Sequence, residues 1–288
     1  VVFNISISNY YLNKNFYRYE PNLIQEYVDY YQEIDSDLLF RTYIDPIHFK
    51  PLSNLNLNQS LVYNYMSTST YVSFYEPAIR EFLTINDVNW HIININNPDL
   101  LKLLGVKYYI VENENEIPEN VNSEFISKIN YLSVYKDINS LPLGYTFSNF
   151  SNIAVKDNSN INWLNELLVN VEDFNNLSDI QPGERAYLKI SDRYQNGLVG
   201  TINLNSEQVL FLSIPNNKGW KIYVDDVLTT PMNVDGGFIG LRLSAGEHLL
   251  KMYFVPVGFK QGVLLSGFSG IVLVSVLIFN KIKKGKLW

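Results

Sequence analysis

Gly262-Val-Leu-Leu-Ser-Gly-Phe-Ser-Gly-Ile-Val-Leu-Val-Ser-Val-Leu-Ile-Phe279 runs for 18 residues without a charge. As an α-helix rising 1.5 Å per residue, it covers about 27 Å, close to the hydrocarbon thickness of a bilayer. A helix buried in a soluble core would show a polar stripe, and here the only polar side chains are serines. Gly262, Ser266 and Gly270 recur at steps of four with Gly267 alongside, as ordinary membrane-helix composition or as a face that lets another membrane helix approach. Lys281, Lys283, Lys284 and Lys286 follow directly, whereas Lys260 stands alone before the span. Positive residues stay on the cytoplasmic side, so the reading puts the C-terminus inside and everything upstream outside.

Upstream of the joint Pro256-Val257-Gly258 the sequence alternates with period two. Six strands are expected: Ala186–Ile190, Leu198–Ile202, Val209–Ile214, Trp220–Val224, Phe238–Leu243 and His248–Phe254. Turn residues separate them, including Asn196-Gly197, Asp225-Asp226, Asp235-Gly236-Gly237 and Ala245-Gly246. Short strands at regular spacing point to a sandwich. On Trp220–Val224 the apolar face is Trp220, Ile222 and Val224. On Phe238–Leu243, alternation sets Phe238, Gly240 and Arg242 opposite Ile239, Leu241 and Leu243.

The first half mixes helix and strand. Pro21–Ile34 is apolar at helical spacing, Leu38–Ile44 reads as a strand, and a short helix is expected near Pro77. Asn97-Pro98 suits a helix start and Gly105 a left-handed stop, with Val106–Val111 as the buried strand that follows. Tyr131–Lys136 reads as a strand, and Asn160–Val169 as a short amphipathic helix with Trp163, Leu164, Leu167 and Leu168 on one side. The fold class is therefore α+β. Residues 1–16 are the end of a preceding membrane helix or a linker, 17–150 a mixed α/β domain, 151–258 an antiparallel β-sandwich, 259–280 the transmembrane helix and 281–288 a basic cytoplasmic tail. Both domains are expected to be extracellular. The chain starts at Val1, as a fragment or processed product would.

Composition narrows the chemistry. The 288 residues carry net charge -7, no Cys, 47% hydrophobic and 14% aromatic side chains. A mostly disordered chain is excluded, as are disulfides, thiolate metal sites and cysteine nucleophiles. Setting aside the tail lysines leaves 18 basic against 29 acidic side chains, a balance of -11. That argues against nucleic acid as a partner. His48, His91 and His248 fall in separate regions, and no metal site is assigned. Glu112, Glu114, Glu116 and Glu119 form an acidic loop whose oxygens suit Ca²⁺, though the plainer reading is a solvated turn. No phosphate loop, dinucleotide fingerprint or nucleophile elbow occurs. The Ser67–Ser73 segment with Glu76 and Arg80 is the most unusual polar cluster. With the aromatic rings it nominates Tyr71, Ser73, Arg80 and Trp220 as a sugar-binding set, against the simpler reading of core aromatics and a hydroxyl-rich turn.

Three stretches have a more specific character: Leu210-Phe-Leu-Ser-Ile-Pro-Asn-Asn-Lys-Gly-Trp-Lys-Ile-Tyr-Val-Asp-Asp226, Asp235-Gly-Gly-Phe-Ile-Gly-Leu-Arg-Leu-Ser-Ala-Gly-Glu-His248 and Tyr253-Phe-Val-Pro-Val-Gly-Phe259. With the final apolar helix they resemble the C-terminal part of the YfhO family of bacterial membrane proteins. Ser69-Thr-Tyr-Val-Ser73, Leu104-Gly-Val-Lys-Tyr-Tyr-Ile110 and Leu141-Pro-Leu-Gly-Tyr145 fit the family's middle region in the same order. Asp225-Asp226 stands where the resemblance leads one to expect Asp-Gly, and Pro256-Val257 where one expects Pro-Pro. The resemblance implies a large polytopic glycosyltransferase of the GT-C type. Such a protein moves a sugar from an undecaprenyl-phosphate carrier to a surface polymer such as lipoteichoic acid, with a divalent metal as a cofactor of the parent protein. The family's N-terminal membrane module and catalytic acids lie outside this chain, so no catalytic residue is carried over and no cofactor is assigned to this stretch. The expected partners are the membrane, that module and a surface glycopolymer. A non-enzymatic surface module that binds carbohydrate or protein, and a purely architectural cap, are the alternatives. A polyanionic acceptor sits awkwardly beside a domain at -11 unless basic residues gather locally.

Overall fold

The computed structural model describes residues 39–44, 77–88, 97–129, 132–154 and 161–285, with isolated positions at 29–30, 35, 66–68, 70–71, 92–93 and 95. The helical pattern at Pro21–Ile34 therefore lies largely outside the described residues. Strand β1 (Arg41–Ile44) is followed by a two-stranded ribbon of β2 (Thr70–Tyr71) and β3 (Ile92–Ile93). Between them, a 3-10 turn at Pro77–Ile79 leads into helix α1 (Arg80–Ile85). Helix α2 (Pro98–Leu103) forms as its local chemistry demands: the Asn97 side chain accepts from the Asp99 and Leu100 N–H groups, and Pro98 takes the first position. Gly105 ends it at φ +74°, a conformation that a Cβ would strain. Strand β4 (Val106–Val111) then runs parallel to β1 and antiparallel to β6 (Leu132–Asp137), with β5 (Ser123–Ile129) outermost.

The second half holds two further sheets. One has six strands in the order β7-β12-β16-β15-β9-β8, built from β7 (Gly144–Phe147), β8 (Phe150–Asn152), β9 (Leu167–Val169), β12 (Gln208–Pro215), β15 (Met232–Val234) and β16 (Phe238–Leu243). The other has five in the order β10-β11-β17-β13-β14, from β10 (Lys189–Tyr194), β11 (Gly197–Leu204), β13 (Trp220–Val224), β14 (Val227–Thr229) and β17 (Gly246–Phe254). Helix α3 (Val171–Asn176) caps the sandwich edge, and α4 (Phe259–Gly285) leaves it after β17.

The six-stranded sheet is buried on both faces, and the alternation in its strands assigns each face to a different core. Leu210 and Leu212 of β12 and Ile239, Leu241 and Leu243 of β16 meet Leu198, Ile202, Ile222, Leu250 and Met252 of the five-stranded sheet. Val209, Phe211 and Phe238 point the other way, onto Phe82 of α1, Leu100, Leu101 and Leu103 of α2, and Tyr109 of β4. Rings line that second core: Phe82 lies edge-on to Phe238 at 4.9 Å and to Trp163 at 5.7 Å. The molecule is thus layered, α/β sheet and helices, then the six-stranded sheet, then the five-stranded sheet. Arg41 clasps the first two layers. Its guanidinium donates to the Leu104 carbonyl, to Ser213 Oγ at 2.9 Å and to the Ser213 carbonyl at 2.5 Å. Burial lowers its pKa to about 10, so it remains charged at neutral pH.

Two expectations need correction. Asn160–Val169 is not an amphipathic helix among its described residues: turns occupy 163–165, and Leu167–Val169 is strand β9, all three residues buried. Trp163, Leu167 and Leu168 do share one core, but a strand with both faces covered looks apolar throughout and imitates a helical stripe. The helix comes next, at α3, where the Asn170 side chain accepts from the Asp173 N–H. Strand Ala186–Ile190 is shifted to Lys189–Tyr194. At the β13–β14 hairpin, Asp225 and Asp226 sit at φ 51° and 65°, the left-handed pair of a two-residue type I′ turn usually filled by Asn or Gly. Asp225 is held there because its carboxylate accepts the Leu249 N–H at 2.8 Å and contacts His248 Nδ1 at 2.7 Å.

Candidate functional site

Of the nominated sugar set, the described residues Arg80 and Trp220 do not share a cleft. Tyr71 lies in β2, and Ser73 is outside the described residues. Arg80 opens α1 and is exposed on a cleft of about 590 Å³ that it shares with Glu81, Thr84, Asn216 and Asn233. Trp220 does not line that cleft. It begins β13, half-buried, with its ring edge-on to Phe254 at 5.1 Å.

A second cleft, of about 620 Å³, has a clearer chemistry. Its walls are the end of α2, the loop 138–142, the turn at Leu164-Asn165 and the chain entering β10. It is lined by Lys102, Arg185, Asn139, Ser140, Asn165 and Tyr187, with no carboxylate. Arg185 is fixed by the core below: its guanidinium stacks over Tyr145 at 5.2 Å and Phe147 at 5.1 Å and donates to the Leu164 carbonyl. That single bond leaves further donors of its planar fork open to the cleft. Neither Lys102 nor Arg185 has a carboxylate within ion-pair distance among the described residues. The neighbouring acid, Asp137, is buried and turned inward, accepting the Asn139 N–H at 2.8 Å. Burial raises its pKa, opposed by that N–H and by the charge of Lys102. Two unpaired cations beside amides and a hydroxyl suit an anion flanked by polar groups. Sequence reading missed this site because its cations are 83 positions apart, between Lys102 and Arg185, and meet only through packing.

The remaining titratable clusters are structural. The His248 ring is held on both nitrogens, by Asp225 and by the Ser244 carbonyl at 3.0 Å. Burial alone would lower its pKa, but these partners and the Asp225 charge outweigh burial and raise it. In the acidic loop, Glu116 accepts the Glu112 N–H at 2.9 Å and the Asn113 side chain at 3.1 Å, closing its own turn. Among the described residues no three His, Asp or Glu side chains converge as ligands.

Residues 151–266 match the family described as bacterial membrane protein YfhO. A 93-residue stretch is 26% identical to the uncharacterized protein YfhO of Bacillus subtilis (strain 168), covering 32% of this chain and 11% of that protein. This likeness to YfhO-family membrane proteins covers residues 151–266, the sandwich and the start of the membrane helix. No solved structure matches it. The YfhO-matched stretch runs from β8 through the five-stranded sheet into the first residues of α4, the one described helix long and apolar enough to cross a membrane. It includes Arg185 and Trp220, whereas Lys102 and Arg80 lie before it. The aligned part is about a tenth of the Bacillus YfhO, so most of that relative has no counterpart in the comparison.

Proposed function

We propose that this chain is the extracellular portion of a polytopic membrane glycosyltransferase, and that it holds an anionic surface polymer over the membrane module that transfers the sugar. The observation that carries the reading is a YfhO-family match that continues unbroken from the sandwich into the membrane helix. The cleft of Lys102 and Arg185 supports the acceptor role, because it supplies the local positive charge that a balance of -11 lacks. The donor is a sugar on an undecaprenyl-phosphate carrier and the acceptor a lipoteichoic-acid-like polymer. The basic tail after α4 faces the cytoplasm.

A second reading, an architectural cap on the membrane bundle, is favoured by α4, whose described side chains are exposed along its length and need lipid or other helices around them. One titration separates the two. Poly(glycerol phosphate) is added to the chain in lipid nanodiscs and compared with Lys102→Glu and Arg185→Glu. The acceptor reading expects saturable, salt-sensitive binding that each variant weakens about tenfold. Absence of binding, or binding by both variants as tight as by the unaltered chain, overturns it and leaves the cap.

A further inference from the structure

The five-stranded sheet has two chemically different ends. Strands β13 and β17 pair antiparallel, Trp220 opposite Phe254 and Val224 opposite Leu250. At the Val224 end lie Asp225, Asp226 and Glu247. At the Trp220 end lie Trp220 and Phe254 in ring contact, Tyr253, whose ring stacks on Tyr223 further along β13, and Tyr194, 57% exposed. Lys218, Lys221 and Lys260 gather at the same end, exposed and without a carboxylate partner among the described residues. The acid that comes nearest along these strands is Asp192, two positions inside Tyr194 on β10.

This end is also tied to the membrane helix by a short leash. Phe254 N–H donates to the Asn196 carbonyl and Val255 N–H to the Gly219 carbonyl, so the sheet holds the chain through residue 255. Helix α4 begins at Phe259, leaving three residues that reach about 10 Å at most. The apolar span Phe259–Lys281 covers roughly 34 Å as a helix, slightly more than the hydrocarbon core, which places its first turn among headgroups. Lys260 lies in that first turn, five residues past Val255, the last residue the sheet holds.

We propose that the Trp220 end of the five-stranded sheet rests on the bilayer, its aromatic rings at headgroup depth and Lys218, Lys221 and Lys260 on anionic phospholipid. Aromatic rings with a polar tip favour that layer, and lysines there are drawn to negative lipid. The contact fixes the tilt of the sandwich over the membrane, whatever the chain's activity.

The chain has no cysteine, so single labels are unambiguous. Tyr194→Cys, Lys218→Cys, Asp226→Cys and Glu247→Cys chains, each with a nitroxide label, are reconstituted in phosphatidylglycerol or in phosphatidylcholine vesicles. In phosphatidylglycerol, labels at 194 and 218 show a several-fold higher collision ratio of oxygen to a water-soluble nickel chelate than labels at 226 and 247. In phosphatidylcholine the difference shrinks, and a Lys221→Glu and Lys260→Glu background shrinks it for the label at 194 in either lipid. Equal ratios at the two ends in phosphatidylglycerol overturn the proposal. Equal immersion in both lipids overturns the role of the lysines.

Discussion

Asp235 is fully buried where β15 turns toward β16. Its Oδ1 accepts the Leu168 N–H at 2.8 Å and its own N–H donates to the Leu168 carbonyl, a two-point lock between β15 and β9. Oδ2 finds no partner among the described residues. Burial drives its pKa up to about 8, with nearby Glu166 adding to the rise and the Leu168 N–H opposing it. Between about pH 4 and pH 8 the folded chain therefore keeps a proton that the unfolded chain has released. Stability falls as pH rises through that window, by up to about 1.4 kcal/mol per unit. Asp235→Asn keeps the Leu168 acceptor and removes the titration. Urea unfolding in micelles at pH 5 and pH 8.5 is expected to show the variant close to wild type at the lower pH and more stable by about 2 kcal/mol or more at the higher. Parallel pH dependence in the two proteins would contradict this account.

At the scale of elements, Gly236 and Gly237 let α1 dock on the six-stranded sheet. The Gly236 carbonyl accepts the Phe82 N–H at 2.9 Å, and a Cβ on Gly237, at φ +153°, would stand 2.2 Å from the Ala78 carbonyl oxygen. Gly237→Ala is expected to destabilise the fold by roughly 1–3 kcal/mol, read as a lower urea midpoint. Gly246→Ala, with open space around it but strained at φ +125°, reports the backbone share alone. Elements whose signals are local were legible beforehand. Asn97, Pro98 and Gly105 wrote α2 and its end, and β4, β13 and β16 carry the expected bounds. Strands β14 and β15 were not seen, because three residues give no period and their place is set by neighbours. The same limit hid the cleft: Arg80 was legible as an odd cation beside a polar run, while Lys102 and Arg185 gain meaning only from rings and loops packed between them.

For the whole molecule, the layering decides what folds by itself. The family-matched stretch begins after β7 and excludes α1, α2 and β4. A fragment of residues 151–258 would leave the face of Val209, Phe211, Val234 and Phe238 without its cover. It is expected to bind a hydrophobic dye and to lack near-ultraviolet dichroism, whereas the full chain in micelles shows fixed aromatic packing. Cooperative unfolding of the fragment would show that the covering layer is dispensable.

Strand β17 lies between β11 and β13, bonded along both edges, and passes almost directly into α4. Any tug from the membrane is therefore delivered along the strand, and two full ladders must yield together rather than rung by rung. A sandwich whose last strand sat at the rim would peel. This one is moored amidships, so drag from bilayer motion moves the body as a unit before it unravels any part of it.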